Sequence, residues 1–135
     1  MKTSIKIVLS LAIILPLMAM TFYPAPLTEV NQLPVGDDDI EAGKALYTAK
    51  ACFACHGMNG EGNQLGPNMT DDYFKHGCSE EDIVKVITKG VAGTAMVPYG
   101  TQMKAEEIKQ LAKYVMSLRG SNPANAKAPE GEKCE

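Results

Sequence analysis

The chain is poor in the residues that build a large core and in the positive charge that binds nucleic acid. It has 135 residues, no tryptophan, 6% aromatic residues and two histidines. A chain of this length forms one small domain, and small domains often depend on a disulfide, a metal or a cofactor. Acidic side chains number 16 against 13 basic ones. This balance argues against nucleic acid as a partner and allows a basic docking patch on a partner protein.

Charge is missing from residues 7–23, which follow Lys2 and Lys6. A positive start and an uncharged apolar run are typical of an export segment. The run exceeds a minimal signal peptide and approaches the roughly 20 residues that span a bilayer. A cleaved signal peptide and a retained membrane anchor at residues 1–23 both remain open. Either one places the remaining chain on the periplasmic side of the cytoplasmic membrane, soluble or anchored.

The remaining sequence divides into three parts. Residues 24–37 contain three prolines and few large apolar groups, which is typical of an extended linker. Residues 38–119 form the predicted domain. Residues 120–135 are polar and contain proline, and they predict an irregular tail.

Helical periodicity dominates the predicted domain, and no segment predicts a strand. Asp38 and Asp39 are candidate caps of a first helix that runs toward the cysteine pair. Ser79 begins a second helix, which Gly90 ends. A third helix covers about residues 104–118, with apolar residues along one stripe. The sequence therefore predicts an all-α domain of three to four short helices, with loops long enough to enclose a cofactor.

The sequence Cys52-Phe53-Ala54-Cys55-His56 allows three kinds of chemistry. Structural zinc needs four ligands, and the only second pair is His76 and Cys78, whose spacing is too tight. Thiol redox motifs follow a strand, which is not predicted here. C-x-x-C-H is the attachment signature of haem c: Cys52 and Cys55 would form thioethers and His56 would be the proximal iron ligand. We therefore predict one covalently bound haem c.

The other side of the iron requires a second ligand or an open site. Methionine suits electron transfer, whereas an open site suits gas binding or peroxide chemistry. The candidates after the motif are Met58, Met69, Met96, Met103, Met116 and His76. Met96 is preferred, because small residues precede it in its loop and Pro98 stiffens the loop behind it. Pro67 is placed to offer its carbonyl to the other ring nitrogen of His56.

Four segments together resemble a known family. "CFACHG", "LGPNMTDDYF", "TAMVPYG" and "EEIKQLAKYVMSLRG" occur in this order. In these segments the chain resembles class I cytochromes c, in particular the haem-c domains of the diheme subunit of cbb-type cytochrome oxidases. The resemblance covers about residues 38–128. It implies a small cytochrome c fold, His56 and Met96 as axial ligands, and Pro67 as the carbonyl partner of His56.

The resemblance also implies that the first and last helices cross, with Gly43 and Tyr47 packing near Leu111 and Tyr114. The chain departs from the family in having a single haem motif and one N-terminal apolar segment. A second departure is Cys78, which stands where the family commonly has glycine, together with the additional Cys134. Either these two residues form a disulfide that connects the tail to the domain, or they are two unrelated free thiols.

The predicted function is that of a one-electron carrier rather than an enzyme. Its expected redox partners are a quinol-oxidising complex and a terminal oxidase, and the membrane is reached, if at all, through residues 7–23. One alternative is a small haem-c subunit bound permanently to a respiratory or dehydrogenase membrane complex. Another is an enzyme or gas sensor with an open sixth site.

Overall fold

The computed structural model describes residues 35–135, with side chains described from residue 38 onward. The predicted signal or anchor at residues 1–23 and most of the linker lie outside the described residues. Within residues 35–135, no helix is both long and apolar enough to cross a bilayer. The elements are α1 (Val35–Ala49), α2 (Phe53–His56), β1 (Tyr73–Phe74), α3 (Glu80–Lys89), α4 (Ala105–Ser117) and β2 (Glu132–Lys133).

Helices α1 and α4 cross at a glycine, as the resemblance implies. Gly43 is buried, and a Cβ at this position would lie against the Gln110 carbonyl and 2.7 Å from Tyr114 Cβ. One turn further along α1, the rings of Tyr47 and Tyr114 meet edge to face, with centroids 5.4 Å apart. The missing side chain at Gly43 is what allows the two helix backbones to approach closely.

The start of α1 differs from the prediction. The helix begins at Val35, so Asp38 and Asp39 lie inside it and do not cap it. Asp39 forms a salt bridge with Lys113 of α4 and accepts a hydrogen bond from Gln110 Nε2 at 3.1 Å. The Asp39 carboxylate therefore bonds side chains of α4, one of them charged, and, among the described residues, does not accept from the N–H groups at the start of its own helix.

Helix α3 begins and ends as predicted. Asp82 N–H donates to Ser79 Oγ at 3.1 Å, and Ser79 N–H donates back to the Asp82 carboxylate at 3.2 Å. This capping box satisfies two backbone donors at the start of the helix. At the other end, Gly90 adopts a φ of 65°, in the left-handed region that favours glycine.

The core lies where α1, α3 and α4 meet. The apolar stripe predicted for the last helix is buried there, together with side chains from the first helix and from two loops. Its buried members are Tyr47, Met69, Ile83, Ile87, Met103, Ile108, Leu111, Ala112, Tyr114 and Val115. This helix-rich arrangement agrees with a small cytochrome c fold.

The tail adds a feature that the sequence did not predict. Strand β2 pairs antiparallel with β1, with Tyr73 opposite Lys133 and Phe74 opposite Glu132. Cys78 and Cys134 form a disulfide, which was one of the two expected outcomes. The prediction of no strand is therefore wrong in this detail, because two-residue strands held by a distant cross-link leave no alternation in the sequence.

Candidate functional site

A cavity of about 250 Å³ lies between the loops that follow α2 and α3. Cys52, Cys55, His56 and Met96 all line it. Most of the remaining wall is apolar and comes from the helices and both loops. Its apolar members include Met69, Phe74, Ile83, Val86, Ile87, Val91, Leu111 and Val115. The predicted ligands are thus gathered around one apolar space.

The two cysteines reach the cavity from the short helix α2 and the turn before it. Ala51 adopts a φ of 54°, which turns the chain sharply after α1. Cys52 and Cys55 are three residues apart and therefore lie on the same side of this helical turn. In the described part of the chain, neither thiol takes part in a disulfide. Burial raises the pKa of the Cys52 thiol, so the thiol is protonated at neutral pH.

The imidazole of His56 is oriented by a backbone carbonyl. Its Nδ1 lies 3.2 Å from the Pro67 carbonyl oxygen, as the sequence predicts. With Nδ1–H as the donor, Nε2 keeps its lone pair available to a metal. Burial lowers the pKa of His56, although the bond to Pro67 works in the opposite direction. The neutral imidazole, which is the form that binds a metal, is therefore favoured.

Glycines allow the loop after α2 to pass close beneath His56. A Cβ at Gly66 would lie 2.6 Å from the Cys55 carbonyl oxygen and 3.2 Å from His56 Cε1. A Cβ at Gly62 would lie 2.5 Å from the Asn68 nitrogen, and Gly62 N–H donates to the His56 carbonyl at 2.7 Å. The glycine-rich sequence therefore has a steric reason: the loop backbone needs this space to bring Pro67 to His56.

Met96 lies in a loop that is fixed to the end of α3. Its carbonyl accepts a hydrogen bond from Val91 N–H at 2.9 Å, and its own N–H donates to Thr94 Oγ1 at 3.1 Å. Further along, Tyr99 N–H donates to the Ile87 carbonyl at 3.0 Å. These bonds restrict the backbone on both sides of Met96, whose side chain is half-buried.

The other candidate ligands differ in position. Met69 is buried and lines the cavity, and His76 is exposed and also lines it. Met58 is 62% exposed, whereas Met103 is buried in the core. Met116 packs against the core. Met96, Met69 and His76 therefore share the cavity wall, and Met58, Met103 and Met116 are not part of it.

Three tyrosines, Tyr47, Tyr73 and Tyr99, line the cavity wall, and sequence reasoning gave none of them a role there. Two of them form hydrogen bonds through their hydroxyls. Tyr47 donates its hydroxyl to the Gly57 carbonyl at 2.6 Å, and burial raises its pKa. Tyr99 donates to the Lys50 carbonyl at 3.4 Å. The sequence predicted helix packing for Tyr47 but no role at the cavity. Tyr99 lies in a loop, where no periodic pattern predicts which side chains are buried. Both hydroxyls tie the ends of loops around the cavity to neighbouring backbone.

Comparison with known proteins identifies the family. Residues 38–115, which are 78 of the 135 residues, match the family described as cytochrome C oxidase, cbb3-type, subunit III. The chain belongs to this family. The cbb3-type subunit III family is a cytochrome c family and implies haem c. The two thiols, the available imidazole nitrogen and the apolar wall of this cavity fit that group.

Several relatives of this cbb3-type domain are oxidase subunits. It is 39% identical over 84 residues to the subunit FixP of Bradyrhizobium sp. (strain ORS 278), covering 61% of this chain and 28% of that protein. It is 32% identical over 103 residues to the subunit CcoP of Azospirillum sp. (strain B510), and the match covers 67% of this chain and 35% of that protein. The chain thus spans about a third of the length of these subunits.

Another relative matches over nearly its whole length. Cytochrome c-555 of Methylococcus capsulatus is 29% identical over 133 residues, covering 98% of this chain and 95% of that protein. Among solved structures, a chain of the reducing HAO-like complex of Kuenenia stuttgartiensis has a TM-score of 0.57 and 32% identity, covering 62% and 44%. Cytochrome CL of Methylophaga aminisulfidivorans has a TM-score of 0.55 and 28% identity, covering 70% and 71%.

Proposed function

We propose that this cbb3-type cytochrome c domain is a monohaem carrier of single electrons in a respiratory chain, on the periplasmic side of the cytoplasmic membrane. Its redox partners would be a quinol-oxidising complex and a terminal oxidase. The observation that carries the proposal is that both cysteines and the histidine of the C-x-x-C-H motif line one apolar cavity together with Met96. That set of side chains suits a covalently attached, six-coordinate haem.

Four residues would hold the cofactor. Cys52 and Cys55 would form the thioether bonds, His56 would be the proximal ligand and Met96 the second axial ligand. When bound, haem c supplies a one-electron couple between Fe(II) and Fe(III), and a methionine ligand raises its potential. The neutral imidazole favoured at His56 supports this assignment, since only that form offers a lone pair.

The protein's own contribution is a fixed and mostly apolar environment. Apolar side chains line most of the cavity, and an apolar lining disfavours water next to the cofactor. The loop with Pro67 and the loop with Met96 are each fixed by backbone hydrogen bonds. Side chains that are held in place move little when the charge at the site changes by one, and this favours rapid electron transfer over bond chemistry.

The cavity wall also suggests where a partner docks. Leu65 and Val97, at 68% and 49% exposure, both line the cavity and are accessible from solvent. An adjoining groove is lined by His76, Lys85 and Lys89. Among the described residues, no aspartate or glutamate lines either space. Although the chain is acidic as a whole, this face would therefore bind a protein with an acidic patch around an apolar centre.

A permanently bound subunit is the second candidate. The oxidase-subunit relatives support it, whereas the cytochrome c-555 match over nearly the whole chain supports a separate carrier. Mild solubilisation of native membranes followed by size separation distinguishes the two. A carrier is expected in a small species or in the soluble fraction, and a subunit is expected only in a large complex.

The function is tested by redox titration of the protein purified from a host that attaches haem c. We expect a reversible one-electron transition and slow or absent carbon monoxide binding by the reduced protein at neutral pH. Rapid carbon monoxide binding would indicate an open sixth site and would contradict the carrier.

A further inference from the structure

The chain after α4 runs back across the loop that carries Pro67. Lys127 is the main contact: its N–H donates to the Glu61 carbonyl at 2.8 Å, and its carbonyl accepts from Asn68 Nδ2 at 3.0 Å. Both backbone polar groups of one tail residue are thus used by this loop. Further along, Cys134 N–H donates to the Asp72 carbonyl at 2.8 Å.

Asn68 links this tail contact to the rest of the loop. It is 6% exposed, and its Oδ1 accepts from the N–H and the hydroxyl of Thr70, at 2.8 and 2.7 Å. Its Nδ2 donates to the Asp71 carboxylate at 2.9 Å as well as to the Lys127 carbonyl. Every polar atom of the carboxamide is therefore engaged, and loss of the Lys127 carbonyl would leave a nearly buried donor without one of its partners.

Asn68 is bonded directly to the residue that orients His56. The Pro67 carbonyl and the Asn68 nitrogen belong to one planar peptide unit. The position of Asn68 therefore fixes the direction of the carbonyl that lies 3.2 Å from His56 Nδ1. Thr70, Asp71 and Lys127 hold Asn68, and only Lys127 belongs to the tail.

The far end of the tail is anchored covalently and by charge. The Cys78–Cys134 disulfide joins positions 56 residues apart in sequence, with Cα atoms 5.8 Å apart. Glu130 forms salt bridges of 3.2 Å with both Lys75 and Lys127. The two-residue β-ladder lies between these anchors.

We propose that residues 121–135, the C-terminal strap, position the His56 imidazole. The strap acts through Lys127 on Asn68, and through Asn68 on the Pro67 carbonyl, with the Cys78–Cys134 disulfide as its anchor. Neither is a proposed ligand: Asn68 lines the cavity beside Pro67, whereas Lys127 does not line it. Both are therefore positioning residues. The inference rests on the proposed role of His56 as proximal ligand. A firmly held carbonyl keeps the Nδ1–H bond in place and makes the imidazole a stronger donor, which stabilises the oxidised form.

The test compares three variants of the full chain with haem attached: Asn68→Ala, the double variant Cys78→Ser/Cys134→Ser, and the control Gln110→Ala. Gln110 is an amide that bonds Asp39 between α1 and α4, away from the loop. We expect the reduction equilibrium against a fixed mediator to shift toward the reduced protein in both strap variants. We expect this equilibrium constant to change about tenfold. Loss of a group that hydrogen-bonds a metal ligand typically changes metal affinity or activity by about 10- to 100-fold, and the substitutions here act on that group indirectly. Amide hydrogen exchange at Met69 and Thr70 should accelerate as well.

The control Gln110→Ala should lower the stability of the protein but should change neither the redox equilibrium nor the amide exchange at Met69 and Thr70. A strap variant whose redox equilibrium matches that of Gln110→Ala would overturn the inference while leaving the carrier function intact. If Asn68→Ala does not fold, the redox equilibrium of Cys78→Ser/Cys134→Ser, compared with that of Gln110→Ala, tests the inference by itself. Failure of the proposed function would look different, since the unmodified chain would then carry no haem ligated by His56.

Discussion

At the scale of single residues, the site depends on how closely backbone approaches His56. Gly66 and Gly62 are present because a side chain at either position would overlap the backbone of Cys55 or Asn68. The same close approach places the Pro67 carbonyl beside Nδ1. The geometry of the proximal side is therefore set by missing side chains as much as by the ligand itself.

Met96→Ala tests the second axial ligand. We expect loss of the near-infrared charge-transfer band between methionine and oxidised iron and a lower reduction potential, because methionine ligation raises the potential. Absorption spectroscopy and potentiometry of the haem-loaded variant measure both. Met69→Ala is the matched control, since Met69 also lines the cavity. A band that survives in Met96→Ala and disappears in Met69→Ala would refute the assignment.

At the scale of secondary-structure elements, the α1–α4 crossing is the main packing contact. Gly43→Ala should destabilise the fold by about 1–3 kcal/mol, the usual cost of overpacking a tight contact. The added methyl group would press on the Gln110 carbonyl and on Tyr114 Cβ. Denaturant unfolding measures the change in free energy of unfolding. The control Ala42→Gly, on the same helix, should lose only about 1 kcal/mol through helix propensity.

The salt bridge between α1 and α4 predicts a pH dependence. Hydrogen bonds from Lys113 and Gln110 lower the pKa of Asp39 below its ordinary value. A carboxyl whose pKa is lowered on folding stabilises the protein above its unfolded pKa of about 3.9, and this contribution is lost as pH falls through the folded pKa. The bond to Asp39 raises the pKa of Lys113, so the lysine's contribution is lost at high pH instead.

Asp39→Asn should therefore reduce the loss of stability on acidification below about pH 4. Thermal unfolding followed across that range measures this change. Asp38→Asn, at an exposed position on the same turn, is the control that makes the same change in charge without touching the ion pair. Equal acid profiles for Asp39→Asn and the unmodified chain would show that the ion pair contributes nothing.

Sequence reasoning succeeded where the signal is local. The capping box at Ser79 and the apolar stripe of the last helix each lie within one helix. It failed for the role of Asp39, whose carboxylate pairs with Lys113 of α4 instead of capping α1. It also failed for the β-ladder, which lies beside the cross-link between the distant residues Cys78 and Cys134. The contact between Asn68 and Lys127 spans 59 positions and leaves no pattern.

At the scale of the whole molecule, charge is unevenly distributed. Acidic residues outnumber basic ones in the chain, yet Lys85 and Lys89 line the groove beside the cavity. Neither lysine takes part in a salt bridge among the described residues. Docking through this face predicts faster association with an acidic partner at low salt.

Lys85→Glu/Lys89→Glu should slow electron exchange with an acidic redox partner by about 10-fold or more at low ionic strength and should weaken its salt dependence. Stopped-flow mixing at several salt concentrations measures both. Lys44→Glu/Lys109→Glu makes the same change in net charge at exposed positions that do not line the groove. Equal rates for the two double variants would place the docking surface elsewhere.

The central claim is that Cys52, Cys55 and His56 hold one haem c. Intact mass spectrometry of the protein from a host with haem c maturation tests it most directly, with Cys52→Ser/Cys55→Ser alongside. We predict that the unmodified chain gains the mass of a single haem, retained under denaturing conditions, and that the double variant gains none. An unmodified chain without covalently bound haem, or a variant that still retains it, would contradict the account.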